Sequence, residues 1–169
     1  GTKSEGTIKR SVATGDVDST GQSVGGLVGS NFPDGKIKDS YAMGNVQSTD
    51  GQVGGLVGSG PGTIDSCFAT GTVDGSFLVG GLVGNESDGA VEDSYWDTEA
   101  SEQDESPVGE GLTTAQMTGE TAPENMTGFD FSGTWQTVVE NQEINGTTPD
   151  ADGYPILRQL APEPQLGAE

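Results

Sequence analysis

Carboxylates dominate the chemistry available to this chain, with 27 Asp and Glu set against six Lys and Arg and no histidine. Two carboxylates held close on a rigid scaffold can act as acid and base on a glycosidic bond, and Asp93 with Asp97, or Asp39 with Asp65, are the candidate pairs. Asp150-Ala-Asp152-Gly has the alternating acids and glycine of a calcium loop, but Pro155, Ile156 and Leu157 follow where further oxygen ligands would be needed. Cys67, the single thiol, has no histidine to take its proton and no second cysteine to bridge, so neither a nucleophile nor a disulfide is expected. No Lys or Arg lies between residues 39 and 157 to bind an acidic sugar, serve as a lyase base or stabilise developing negative charge. A polysaccharide-active enzyme is therefore the less favoured reading, and catalysis is not expected.

The elements that must carry these residues are set by a repeat. The five residues GGLVG recur at 25–29, 54–58 and 80–84, inside units that begin GTIKRSVATGDV at Gly6, GKIKDSYAMGNV at Gly35, GTIDSCFATGTV at Gly62 and GAVEDSYWDT at Gly89. A unit this short cannot bury an apolar face alone and is stable only against its neighbours. Its apolar residues come in strand-length clusters separated by Gly, Asp, Asn, Ser and Thr, with no sustained helical period before residue 107. The pattern predicts an all-β chain: a parallel β-solenoid of about four coils, three strands to a coil. Stacked at the inter-strand spacing of about 4.8 Å, the coils would form internal ladders of Val12, Tyr41, Phe68 and Tyr95, and of Leu27, Leu56 and Leu82. The paired glycines fit close backbone approach or positive φ, and Cys67 falls in the column of Ser11, Ser40 and Ser94, where a small inward side chain is expected.

After Trp96 the repeat gives way to an acidic stretch, DTEASEQDESPVGEG, which reads as a loop leaving the solenoid. Thr113 with Gln116 three residues on predicts a capping box on one short helix. Phe129, Phe131, Trp135, Val138, Val139, Tyr154, Ile156 and Leu157 then suggest strands folding over the last coil. The expected organisation is a solenoid over 1–106, a small mixed C-terminal cap over 107–160 and a flexible tail over 161–169. Gly1 resembles the tail of a preceding repeat, which predicts a longer parent protein and an open first coil that makes end-to-end or lateral self-association an expectation.

A net charge of −21 repels nucleic acid and anionic lipid, and no apolar run is long enough for direct membrane insertion. Acid excess with little lysine suits solubility in strong salt; a calcium-binding surface is the alternative. Sequons at Asn85, Asn125 and Asn145 mark candidate glycosylation sites. Corner sequences vary between coils in two sets, 18–23, 47–52 and 74–78 on one side and 30–34, 59–61 and 85–88 on the other. The favoured reading makes both solvated turns, and the alternative makes the second set a partner-contact ridge with Phe32 as its exposed anchor.

The units SVATGDV, SYAMGNV, CFATGTV and SYWDT, joined by VGGLVG, closely resemble the GLUG-motif repeats of large bacterial and archaeal surface proteins. The resemblance continues through Gly111 to Met117, Gly128-Phe129-Asp130-Phe131 with Trp135, and Tyr154-Pro155-Ile156-Leu157. Cys67 and Phe68 depart from the usual Ser and Tyr, and the loop 140–152 is longer and more acidic than the pattern. With the acidity, the resemblance implies a haloarchaeal, extracellular, adhesin-like surface protein. The function it implies is non-catalytic: a rigid acidic rod for cell-surface attachment or for contact with glycans or proteins.

Overall fold

The computed structural model describes residues 2–86, 89–144 and 148–158. The chain is an all-β, parallel β-solenoid of about three turns, with a small antiparallel hairpin near the C-terminus. Each full turn carries five short strand segments rather than three. One stack joins Val28–Lys38, Val57–Ser59 and Val83–Asn85. The next joins Thr2–Lys9, the second half of Val28–Lys38, Thr63–Asp65 and Val91–Glu92. A third runs through Val12–Ala13, Tyr41–Ala42, Phe68–Ala69, Tyr95–Asp97 and Glu110–Leu112. Val17–Ser19, Val46–Ser48 and Val73–Gly75 form the fourth, and Ser23–Gly25, Gln52–Gly54 and Val79–Gly80 the fifth.

The extra strands arise from corners that hydrophobicity alone does not mark. Arg10, Asp39, Ser66 and Asp93 occupy one column and all have left-handed backbone, φ 44 to 53, which bends the chain inside what reads as one apolar cluster. Just after the bend, the hydroxyls of Ser11, Ser40 and Ser94 and the thiol of Cys67 each donate to the carbonyl two residues back. Ser11 N–H in turn donates to Ser40 Oγ, and Cys67 N–H to Ser94 Oγ. The column is thus a ladder of side-chain caps, and Cys67 replaces a serine within it. Burial of the Cys67 thiol pushes its pKa up to about 12, which leaves it unreactive.

GGLVG is explained by close approach and not by positive φ. A Cβ on Gly55 would lie 2.3 Å from the Gly81 carbonyl oxygen and 2.9 Å from Ala69 Cβ, and one on Gly54 would lie 2.0 Å from the Val57 carbonyl oxygen. The glycines let the chain fold back within a coil while the next coil lies directly against it. Leu27 N–H donates to the Leu56 carbonyl and Leu56 N–H to that of Leu82, so the leucine ladder forms as expected. Leu56 and Leu82 are wholly buried with Ile37, Ile64, Val57 and Val83.

The aromatic ladder faces the other way. Within the third stack it is Ala13, Ala42, Ala69 and Trp96 that join the inner core, so the alternating residues Tyr41, Phe68 and Tyr95 lie on the outer face. There the C-terminal region covers them, with Leu112, Met117, Met126, Phe129 and Trp135 in a second core. That region therefore packs on the flank of the solenoid, not across its last coil. Tyr41 stacks on Phe68 with 4.7 Å between ring centroids, Trp135 lies tilted against Phe68 at 5.7 Å, and Phe129 stacks on Trp135 at 4.5 Å. Val12 heads the same outward column beyond the cover and is 45% exposed.

The acidic stretch also differs from a departing loop, because it closes the solenoid's end. The fourth coil lasts for two segments, and its Trp96 ring lies directly under Gly81 as an inward plug. A short helix α1 (Thr98–Ser101) turns the chain, after which Gly81 N–H donates to the Glu105 carbonyl and Leu82 and Val83 N–H donate to Ser106 Oγ. Gln103 Nε2 donates to the Val73 carbonyl, while its own carbonyl accepts Trp96 Nε1–H. Orphan donors of the last coil are satisfied this way, as a strand edge requires. Parallel stacking runs on to Leu112, past the 1–106 span that the repeat marks out. Helix α2 (Thr114–Met117) has the predicted reciprocal bonds between Thr113 and Gln116; a second turn α3 (Ala122–Asn125) and the hairpin of Trp135–Val138 with Gly153–Leu157 follow. Among the described residues no helix is long and apolar enough to cross a membrane.

Candidate functional site

Asp97 occupies the junction between solenoid and flank. Its carboxylate is fully buried; Oδ1 accepts from Glu99 and Ala100 N–H at the start of α1, and Oδ2 accepts from the Tyr154 hydroxyl at 2.6 Å. Burial first, and then the bond to this anion, raise the Tyr154 pKa. Asp93, four residues earlier, is exposed at a corner and packs on Gly128, where a Cβ would meet its carboxyl carbon at 1.9 Å. It lines, with Glu110, Ser94 and Thr127, an open hollow of about 230 Å³. Asp97→Ala would leave a buried hydroxyl and a helix start without their acceptor, and a loss of about 2 kcal/mol is expected in urea unfolding.

Asp39 and Asp65 belong to an ion-pair ladder across coils: Lys9 Nζ lies 3.7 Å from Asp39 Oδ2, and Lys38 Nζ pairs with Asp65 Oδ2. Partial burial works to raise the Asp65 pKa, but hydrogen bonds from Lys38 and Ser66 outweigh it and the net shift is downward. The Lys38 pKa is raised, chiefly by its bond to Asp65. Asp65's contribution is present above its unfolded value of 3.8 and lost as pH falls through the depressed folded value. Lys38's contribution is present below 10.5 and lost as pH rises through its raised value. The difference in melting temperature between wild type and Lys38→Met should therefore be small, flat between about pH 5 and 9, and should shrink towards both extremes.

The remaining sequence candidates lie apart. Asp152 Oδ1 accepts Glu140 N–H at 2.8 Å and Asp150 is exposed nearby in sequence; among the described residues no group of three or more Cys, Asp or Glu side chains is gathered for a metal. Asn85 is half-buried at a strand end, its carbonyl accepting Gly60 N–H. Asn125 ends α3 with its amide donating to the Thr121 carbonyl, and Asn145 lies outside the described residues. Phe32 is 45% exposed beside the buried Asn31, on the ridge where the corner sequences vary.

Two residues that the sequence reading passed over stand out more. Phe77 is 60% exposed and Leu78 44% exposed. Two positions before the paired valines Val24, Val53 and Val79 stand Gln22, Gly51 and Phe77, so the third coil puts an aromatic ring where its neighbours carry polar or absent side chains. Leu78 has left-handed backbone, φ 47, a costly conformation for a bulky residue, and its carbonyl is fixed by Val53 N–H at 3.0 Å. The signal was available as two consecutive large apolar residues in a turn otherwise made of Ser, Thr, Asp, Gly and Gln.

No family model matches the chain, and no solved structure matches it. The chain is 33% identical over 113 residues, 59% of its length, to halomucin of Haloquadratum walsbyi. It is 36% identical over 140 residues, 78% of its length, to a putative Gly-rich membrane protein of Evansella cellulosilytica. It spans 1% of the first relative and 13% of the second.

Proposed function

We propose that this chain is a non-catalytic extracellular module of a cell-surface protein, a rigid acidic rod that displays its corners for attachment or for contact with glycans or proteins. One observation carries the reading: apolar side chains go into stacked ladders and a flank cover, while the carboxylates are left as single, solvated or structurally engaged groups. Of the four acids that the sequence offers for catalysis, Asp97, Asp39 and Asp65 each hold a neighbouring element in place, and Asp93 is exposed at a corner against Gly128. The relatives suggest a surface or membrane-associated protein. The GLUG-like units and the halophilic character belong to the same reading, since a dense carboxylate surface keeps a protein hydrated where salt screens its repulsion.

Attachment is tested by incubating the labelled full chain with intact haloarchaeal cells in molar salt. Saturable binding that Phe32→Ala weakens is expected; absence of saturable binding would contradict the attachment reading. The absence of catalysis is tested on neutral and acidic polysaccharides, where reducing ends or an unsaturated product would overturn it.

A further inference from the structure

We infer that the Phe77 corner is a binding site for a neutral pyranose ring, the terminal or internal sugar of an uncharged glycan; this rests on the surface-module reading and names a ligand class and a place for it. Phe77 of the third coil borders an open hollow of about 260 Å³ completed by Gln22, Ser23, Asp50, Gly51 and Gln52 from the first two coils. The shape and the side chains match the two sides of a sugar. A pyranose presents a face of C–H groups, which an exposed aromatic ring accepts by stacking, and an equatorial rim of hydroxyls, which need both acceptors and donors.

Asp50 supplies acceptors, and the amides of Gln22 and Gln52 supply donor and acceptor together. Thr49 Oγ1 donates to Asp50 Oδ2 at 3.3 Å and Ser23 Oγ to Gln52 Oε1 at 3.4 Å, so side chains on the wall are tied before a ligand arrives. The floor is equally fixed. Gly51 lies hard against the first coil, where a Cβ would come within 2.1 Å of the Gly21 carbonyl oxygen, so the first two coils meet closely where they line the hollow that Phe77 borders. Backbone at Leu78 is pinned through Val53, so the ring is presented from a rigid edge and little order need be gained on binding.

Charge decides the class of sugar. The hollow contains a carboxylate and no cation, and the sequence has no Lys or Arg between 39 and 157. Uronate or sulfated polymers would meet repulsion without a compensating partner, whereas neutral hexoses would not. Phe32, the anchor suggested by sequence, lies within strand Val28–Lys38 and does not line this hollow, so the site does not require it.

The test is calorimetric titration of the full chain in molar salt with neutral gluco-, manno- and galacto-oligosaccharides, and with oligogalacturonate. Binding of at least one neutral series and none of the uronate is expected. Phe77→Ala should weaken it about tenfold, a loss of roughly 1.4 kcal/mol; Phe77→Trp should preserve it, and Gln52→Ala should weaken it by a smaller factor. Phe77 is exposed, so unchanged melting temperatures will show that the variants fold. Neutral binding that ignores Phe77→Ala, preference for the uronate, or no neutral binding would overturn the site. Cell attachment that persists without any Phe77-dependent titration would overturn this inference alone; titration without cell attachment would leave the site standing and contradict the attachment reading.

Discussion

Replacing Trp135 by alanine is expected to remove about 3–5 kcal/mol of stability and to free the C-terminal region from the solenoid's flank. Trp135 is fully buried and is the ring on which the second core converges, 4.5 Å from Phe129, 5.7 Å from Phe68 and 5.8 Å from Tyr41 between centroids. Its loss would expose an outward stripe of Tyr41, Phe68 and Tyr95 while leaving the inner ladders untouched. Urea unfolding followed at two wavelengths checks this: the near-ultraviolet signal of the aromatic cluster should disappear at lower denaturant than the far-ultraviolet signal of the strands. Trp135→Phe should do much less, since it keeps a stacking ring and removes an indole N–H that is buried without a partner among the described residues. A loss below about 1 kcal/mol for the alanine variant would show that the flank is not held by this cluster.

Leu56→Ala should cost about 2–5 kcal/mol, and here both spectroscopic signals should move together. Leu56 is fully buried between Leu27 and Leu82, with neighbours above and below, so the cavity lies at the middle of the stack and cannot be filled by collapse from an end. Leu27 is only partly buried. Leu27→Ala should therefore cost less than half as much, although the residue type, motif and strand position are the same. Equal losses at the two positions would contradict a stack that begins at the first coil.

Much of this fold was legible because the repeat itself carries register. Leu27, Leu56 and Leu82 are separated by one coil each, and nothing but stacking makes such recurrence useful. The capping box at Thr113 was legible for a similar reason: it is a local bond between two side chains three residues apart. What sequence periodicity did not carry was direction. In a two-residue strand such as Phe68–Ala69 one side chain must point in and the other out, and hydrophobicity favours the phenylalanine inside. The structure puts the alanine inside because the facing Gly55 leaves only 2.9 Å between its Cβ direction and Ala69 Cβ, too little for a ring. Phe68 then turns outward, which is tolerable only because a cover arrives from some sixty residues later. The strand count was missed for a different reason, since the bends at Arg10, Asp39, Ser66 and Asp93 use left-handed backbone in residues with no common chemistry.

The candidate site was legible in its materials more than in its place. Variation between coils marks two sets of corners, and Phe32 is the anchor that it offers in the second. Phe77 lies in the first set, but the side chains that complete its hollow, Gln22, Asp50 and Gln52, lie 55, 27 and 25 positions away in sequence and meet only once the coils are stacked. Asp97 shows the converse. Its spacing from Asp93 suggested an acid pair, yet the second carboxylate is buried and holds a helix start and a tyrosine from the hairpin.

Stacking of like residues at a fixed period is the claim on which all of this depends, and methyl-resolved nuclear magnetic resonance in concentrated salt tests it most directly. Selectively labelled leucines should give cross-relaxation between Leu27 and Leu56 and between Leu56 and Leu82, with weak or no transfer between Leu27 and Leu82, as three successive rungs about 4.8 Å apart require. Strong direct transfer between the first and third leucines, or sharp unstructured resonances with no transfer at all, would contradict the solenoid and everything built on it.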